Sequence, residues 1–185
     1  MMRSRLDGVA ARDRESLEAL AVGGREVDLD VLLDVLDLDE ETVLDGLERL
    51  LASGIVRERR AGELIFYAVS HRKFADVVYR DLHPDRRARL HRRMAAALEL
   101  HYANNPAALE VVGEHYHRAG DTGRAYRYLV AAARRPLDRS LVQEAWGLTE
   151  KAAAIEESAL ADLEPEDFRA YRRDLLQVRA QVLSN

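Results

Sequence analysis

The sequence predicts a mainly α-helical fold, in which three helices and a small β-hairpin precede a series of paired helices. Leu and Ala dominate the composition, aromatic residues make up 6%, and four Pro and ten Gly interrupt 185 residues. Apolar side chains recur at spacings of three and four over most of the chain, which is the period of an amphipathic helix. The length allows one large domain or two small ones with a buried core.

The first 54 residues carry the signals of three short helices. The first is expected over residues 13–22 and ends at the pair Gly23-Gly24. The second and third are expected to begin after Asp28 and Asp39, because Asp is a favoured N-cap residue and regularly spaced Leu residues follow each of them.

Two β-rich runs, residues 55–59 and 64–69, follow these helices and are joined by a turn around Ala61-Gly62. Three helices followed by a hairpin is the order of a winged helix-turn-helix. We therefore predict a winged-helix domain over residues 1–70.

After residue 70 the chain returns to helical periodicity. Ser70 is the expected N-cap of the next helix, and Pro84 suits the first turn of the one after it. The expected helices cover residues 71–83, 85–102, 107–119, 122–135, 141–155 and 167–183. We assign residues 71–105 to a linking helical hairpin and residues 106–185 to helical repeats.

The segment LEVVGEHYHRAGDTGRAYRYLVAAA resembles a tetratricopeptide repeat. Gly113 and Tyr116 fall on its first helix and Tyr128 on its second, and a Gly-Asp pair forms the turn. Small residues at such positions let two helices approach closely. The resemblance implies an α-solenoid of tetratricopeptide-like helical hairpins over residues 106–185. The last helix has no partner, so we expect the repeats to continue beyond this sequence.

Three segments together resemble one known arrangement: LAVGGREVDLDVLLDVLDLDEETVLDGLERLLASGIVRE, YAVSHRKFADVVYRDLHPDRRARLHRRMAAALE and HYHRAGDTGRAYRYLVAAA. They are similar to the region downstream of the nucleotide-binding domain in bacterial STAND ATPases, the AAA-type signalling ATPases that include the maltose-regulon activator type. The resemblance covers residues 12–155. It implies a cytoplasmic, non-catalytic regulatory and protein-interaction fragment, with the winged helix against the ATPase and the repeats as a sensor or partner surface.

The resemblance also implies a role for His71, just after the last strand of the wing. In STAND proteins a His at that place contacts the β-phosphate of bound ADP and holds the closed, inactive state. An imidazole at a helix start can donate to an anion. Arg72 departs from the animal and plant versions of the motif, which carry an Asp there. The alternative is that His71 caps the helix or packs under the wing.

The chain contains no GxxxxGK[ST] run and therefore no P-loop of its own. ADP or ATP would be held by a nucleotide-binding domain outside this sequence. We expect no catalytic residues, because there is no Cys and no Ser lies in a strand-turn-helix elbow. No metal site is expected either, since His115 and His117 face different sides of their helix.

DNA binding, as a transcriptional regulator with a helical effector domain, is the first alternative function. The third helix argues against it, because a recognition helix needs cations and amides toward the DNA. Its exposed positions are expected to be Glu40, Glu41, Asp45, Glu48 and Arg49. The wing offers three Arg residues that could contact phosphates without reading sequence: Arg57, Arg59 and Arg60. A free-standing, self-associating tetratricopeptide-like scaffold is the second alternative.

Five Arg residues lie on one expected helix, in HPDRRARLHRR. Arg86, Arg89 and Arg93 are candidates for a surface that binds acidic segments, including the acidic winged helix itself. The alternative is a solvated face partly neutralised by neighbouring acids. Tyr116 and Tyr128 are further candidates for contact with a partner protein.

Membrane contact is not expected from this sequence. No apolar stretch approaches the roughly 18–20 residues needed to cross a bilayer. The basic start lacks the apolar region of a signal peptide. A net charge of −5 gives no general attraction to nucleic acid.

Overall fold

Ten α-helices and a three-stranded antiparallel sheet make up the computed structural model in the residues that it describes, 8–102, 105–134 and 142–184. This confirms the mainly α-helical class with a small β element. The chain divides into two units, Met1–Ala97 and Leu98–Asn185. The division falls inside a helix, and the boundaries expected at residues 70 and 105 stay predictions.

The described part of the first unit contains three helices and a short strand, followed by a hairpin and two further helices. Its elements are α1 (Ala11–Gly23), β1 (Val27–Asp28), α2 (Leu29–Leu36), α3 (Glu40–Ala52), β2 (Val56–Ala61), β3 (Leu64–Val69), α4 (Arg72–Asp81) and α5 (Pro84–Tyr102). The last residues of α5 belong to the second unit. β3 pairs antiparallel with both other strands, so the sheet order is β1-β3-β2.

Local sequence signals fix the starts of α2 and α3. Asp28 precedes α2, and its side chain accepts a hydrogen bond from the backbone N–H of Asp30 at 2.9 Å. Asp39 precedes α3 and accepts from the backbone N–H of Thr42 at 2.8 Å. Each bond satisfies one of the free N–H groups at a helix start. Both predicted N-caps are confirmed.

Apolar side chains from α1, α2, α3 and the sheet form the core of the first unit. Leu20, Leu32, Leu47 and Tyr67 are each at most 4% exposed. Full burial of a Leu side chain contributes roughly 2 kcal/mol, so these contacts determine which face of each helix turns inward. The opposite face of α3 is left exposed to solvent.

The second unit contains the end of α5 and a series of helices. Its further elements are a 3-10 turn (Pro106–Ala108), α6 (Leu109–Arg118), α7 (Thr122–Ala133), α8 (Val142–Ala154), α9 (Glu156–Asp162) and α10 (Pro165–Leu183). Gly120, with a φ of 79°, lies in the turn between α6 and α7. The Asp121 side chain then caps α7 by accepting from the N–H of Arg124 at 3.1 Å. The two helices predicted on either side of Gly120-Asp121 are present.

Close packing of α6 and α7 depends on Gly113. A Cβ atom at this position would lie 3.1 Å from Leu129 Cγ and 3.2 Å from Tyr128 Cβ. Any larger residue would therefore push the two helices apart or displace these side chains. This is the close approach that the small residues of the segment predicted.

Three features differ from the prediction. β1 was not predicted, because two residues are too few for an alternating pattern. His71, not Ser70, is the N-cap of α4, since the N–H of Ser70 donates to Ile55 O at 2.8 Å and continues the strand pairing. α9 is a separate helix that begins after a break at Ile155 and lies where no helix was predicted. The helix ends predicted at residues 135 and 141 lie outside the described residues.

Candidate functional site

The outward surface of α2, α3 and the turn between them is acidic. Its exposed acidic residues are Asp30, Asp34, Asp37, Asp39, Glu40, Glu41, Asp45 and Glu48. We call this surface the acidic face. Arg49 is the single basic residue of these two helices.

Arg49 binds a carboxylate of α1. Its Nε lies 3.1 and 3.0 Å from the two carboxylate oxygens of Asp13, and its Nη2 lies 2.8 Å from Oδ1. Asp13 is only 4% exposed, whereas the Arg49 side chain is partly exposed, so the guanidinium lies over a buried carboxylate and is held there by a bidentate, charge-assisted contact. A second carboxylate, Asp45, lies 3.7 Å from Nη1. The carboxylates of α3 thus outnumber the single cation of that helix, although Arg93 of α5 also lies 3.7 Å from Asp37 at the end of α2.

The hairpin of β2 and β3, which we call the wing, carries three Arg residues whose side chains all bind carboxylates. Arg57 Nη1 and Arg59 Nε donate to Glu26 at 3.1 and 2.6 Å. Arg60 Nε donates to Glu58 at 2.7 Å. The hydrogen bonds and charges of Arg59 and Arg57 hold the pKa of Glu26 below its ordinary value, although partial burial opposes this. The two carboxylates offset most of the positive charge of the wing.

His71 lies directly after β3 at the start of α4, and its side chain is exposed. The imidazole makes no capping hydrogen bond to the helix, and its ring centroid lies 5.6 Å from that of Phe74. Arg72 and Lys73 follow it, both exposed, and the first turn contains no acidic residue. His71 thus presents its ring to solvent beside two cations.

Arg86 on α5 binds the acidic side chains of α1. Its Nε donates to Glu18 at 2.6 Å and its Nη2 to Glu15 at 3.3 Å. Glu18 is 9% exposed, so this contact lies at the edge of the core. Arg86 is therefore engaged within the first unit.

Arg93, two turns further along α5, contacts the end of α2. Its Nη1 donates to Val35 O at 3.2 Å, and its Nη2 lies 3.7 Å from Asp37. A cation is favourable at this position, because the last carbonyl groups of a helix carry partial negative charge. Arg89 and Arg93 are both exposed. Arg86 and Arg93 thus each contact groups of the first unit, and a shared site of the three Arg residues for acidic segments stays a prediction.

Tyr116 of α6 and Tyr128 of α7 meet at the carboxylate of Glu99, near the end of α5. Tyr116 Oη donates to Glu99 Oε2 at 2.6 Å, and Tyr128 Oη donates to Oε1. The two rings are stacked, with centroids 5.8 Å apart and planes 21° apart. Tyr116 is fully buried, whereas Tyr128 is half-buried. While Glu99 is in place, a partner would therefore reach Tyr128 and not Tyr116.

Two arginines complete this arrangement. Arg124 Nη1 donates to Tyr116 Oη at 3.3 Å, and its Cζ lies 5.3 Å from the centre of that ring. Arg127 Cζ lies 5.5 Å from the centre of the Tyr128 ring. We call the five residues the Glu99 cluster.

The Glu99 cluster stabilises a negative charge. Burial opposes ionisation of Glu99, but the hydrogen bonds from Tyr116 and Tyr128 and the charges of Arg124 and Arg127 bring its pKa below the ordinary value. Burial, followed by the contact with Glu99, raises the pKa of both tyrosines, so they stay protonated hydrogen-bond donors at neutral pH. Sequence reasoning missed Glu99 because it lies 17 and 29 residues from the two tyrosines. No local spacing links Glu99 to the two tyrosines.

The described residues contain no group of three His, Asp or Glu side chains placed to hold a metal ion. His115 is buried, and this burial, with the nearby charge of Arg118, lowers its pKa to about 4. It is therefore a neutral interior side chain at physiological pH. Within the same described ranges, no helix is both long enough and apolar enough to cross a membrane.

Comparisons of this chain with protein-family models, with curated proteins and with solved structures find no match. The geometry and charge of the two units are therefore the basis for a functional proposal.

Proposed function

We propose that this chain is a regulatory and protein-interaction module whose first unit is a winged helix that binds protein rather than DNA. The element order α1-β1-α2-α3-β2-β3 and the sheet order β1-β3-β2, with β2 and β3 as the wing, support the winged-helix assignment. The closely packed α6 and α7, followed by α8 to α10, support tetratricopeptide-like repeats in the second unit.

The charge of the acidic face is the observation that carries the proposal. In a winged helix, α3 would be the helix that enters the major groove, where its acidic residues would meet the phosphates. Arg49 is held by Asp13, and two of the wing arginines are held by Glu26. Binding DNA would require breaking these pairs, whereas a basic surface of a protein partner complements the acidic face as it stands.

A fluorescence-anisotropy titration with a labelled mixed-sequence duplex at low salt, about 20 mM, tests the exclusion of DNA. The wild-type chain should show no saturable binding. A control that reverses the charge of α3 should gain salt-dependent binding; its changes are Glu40→Lys, Glu41→Lys, Asp45→Lys and Glu48→Lys. Saturable wild-type binding with a steep salt dependence would show that the proposal is wrong.

The partner domain that we propose is the nucleotide-binding domain of a STAND-type ATPase, with His71 contacting the phosphate of ADP. Support comes from the sequence resemblance and from the exposed imidazole of His71 beside Arg72 and Lys73. ADP or ATP would be bound by that domain, and His71 would act as a nucleotide-state lock. The repeats would present a surface to a signal or effector.

The reading frame around this segment provides the first test, because the proposal requires a P-loop upstream. In that longer protein, His71→Ala should speed the release of ADP and raise basal activity. His83→Ala is the matched control, since His83 is an exposed residue between α4 and α5, and it should leave ADP release unchanged. Unchanged ADP retention in His71→Ala would refute the lock.

A further inference from the structure

Four side chains of α6 and α7 form a ready-made environment for a carboxylate. The hydroxyls of Tyr116 and Tyr128 point at the two oxygens of one carboxylate group, and the guanidinium groups of Arg124 and Arg127 lie over the same two rings. Two donors aimed at separate oxygens match the shape of a carboxylate, in the way that bidentate recognition requires.

These four side chains hold their positions through contacts that do not involve Glu99. The tyrosine rings stack on each other, and each ring is covered by its own guanidinium. Gly113 allows Tyr128 Cβ to approach α6 closely. Removal of Glu99 would therefore leave the donors in place, and a pre-formed site binds its ligand at a lower cost than one that must be assembled.

Glu99 belongs to a different element, α5, and its side chain is only half-buried. Arg124 also lies 3.6 Å from Asp121, and its side chain is 58% exposed. Arg124 and Arg127 thus face two carboxylates, Glu99 and Asp121, and the charges balance. If Glu99 leaves, one net positive charge remains at a site that is open to solvent, which attracts an acidic group.

We propose that Tyr116, Tyr128, Arg124 and Arg127 form a carboxylate-binding site that Glu99 fills within the chain, and that an acidic peptide segment of a partner protein binds there by displacing Glu99. The inference goes beyond the proposed function. Because it shares no residue with the acidic face, the wing or His71, its failure and theirs can be told apart.

Chemical rescue tests the site in the full chain. Thermal unfolding, followed by the fluorescence of Trp146, is measured for Glu99→Ala in sodium acetate and in sodium chloride of equal ionic strength. Acetate at ten times its Kd should raise the midpoint by about 5 to 10 °C, with no such rise for the wild type. Glu150→Ala is the matched control, because Glu150 is an exposed carboxylate that accepts from Arg179 at 2.7 Å. Adding Tyr128→Phe to Glu99→Ala should remove most of the effect.

A second measurement uses the unmodified chain and covers the case in which Glu99→Ala does not fold. With ¹³C-labelled tyrosine, an end-blocked peptide of Glu residues should shift the NMR signals of Tyr116 and Tyr128. The signal of Tyr79, in the first unit, should stay in place. If Glu99→Ala folds and its unfolding midpoint is no higher in acetate than in chloride, the proposed site is wrong. If excess peptide moves the signals of neither tyrosine, the proposed displacement of Glu99 is wrong.

Discussion

Replacing His115 by Gln should remove a pH dependence from the stability of the second unit. Burial, followed by the charge of Arg118, lowers the pKa of His115 from 6.5 to about 4 in the folded chain. The unfolded chain, with an ordinary pKa, therefore binds a proton on this imidazole more readily. Stability contributed by the neutral side chain is complete above pH 6.5 and is lost as the pH falls toward 4.

The size of the effect follows from the distance between the two pKa values. Between the two pKa values, each unit by which the pH falls lowers the free energy of unfolding by about 1.4 kcal/mol. Lowering the pH from 7 to 5 should therefore reduce the free energy of unfolding by about 2 kcal/mol through His115 alone. The scan ends at pH 5 because Glu99, whose pKa is held below its ordinary value, begins to contribute at lower pH. Loss of its carboxylate charge would add a second decrease.

Urea unfolding followed by the fluorescence of Trp146 measures this quantity. Trp146 is the only Trp of the chain and lies in α8, so its signal reports on the second unit. For wild type and variant, we compare the change in unfolding free energy between pH 7 and pH 5. A loss of stability that the substitution causes equally at both pH values does not affect this change. His117→Gln, an exposed position on the same helix, is the control and should behave like the wild type. Equal losses in wild type and His115→Gln would refute the argument.

Four further substitutions have effects that the structure predicts. Tyr126→Phe should stabilise the second unit by about 1 kcal/mol in the same urea assay. The buried hydroxyl has no hydrogen-bond partner among the described residues, and burial raises the pKa of Tyr126 to about 12. A clear destabilisation would show that the hydroxyl does have a hydrogen-bond partner. Gly147→Ala should add about 0.5 to 1 kcal/mol, since Gly147 is an exposed interior residue of α8 with nothing within 4 Å of an added Cβ; an unchanged urea midpoint would contradict this. Asp13→Ala should cost about 2 kcal/mol in the first unit, measured by circular dichroism, because it removes the buried partner of Arg49. Asp45→Ala removes only the exposed partner of the same guanidinium and should cost less than about 0.5 kcal/mol; equal losses in the two variants would contradict the bidentate assignment.

Local signals in the sequence predicted most helix starts and the hairpin. Asp28 and Asp39 each act on a backbone N–H two or three residues away, so the information is contained in a short window. The start of α4 was placed one residue early, because the pairing of Ser70 with Ile55 depends on the sheet. A preference for Ser at N-caps does not include that competing hydrogen bond.

The candidate sites were harder to predict because their partners are distant in sequence. The sequence showed that Arg49 is the single cation near the acidic residues of α3, but not that Asp13, 36 residues earlier, binds it. Arg86 and Glu18 are 68 residues apart. Such pairs form only after the helices have packed, and charge patterns within one helix give no information about them. Tyr116 looked like a surface contact for the same reason.

The position of β2 at the edge of the sheet affects how the chain behaves at high concentration. Among the described residues, its outer backbone groups have no partner strand, since the sheet order is β1-β3-β2, and such an edge can pair with the same edge of another molecule. Residues 57–60, which are Arg-Glu-Arg-Arg, are all exposed. Two such edges could align only by crowding and desolvating these charged side chains. The charged wing thereby protects the chain from assembling into extended β-aggregates, and variants that replace its arginines with apolar residues would lose that protection.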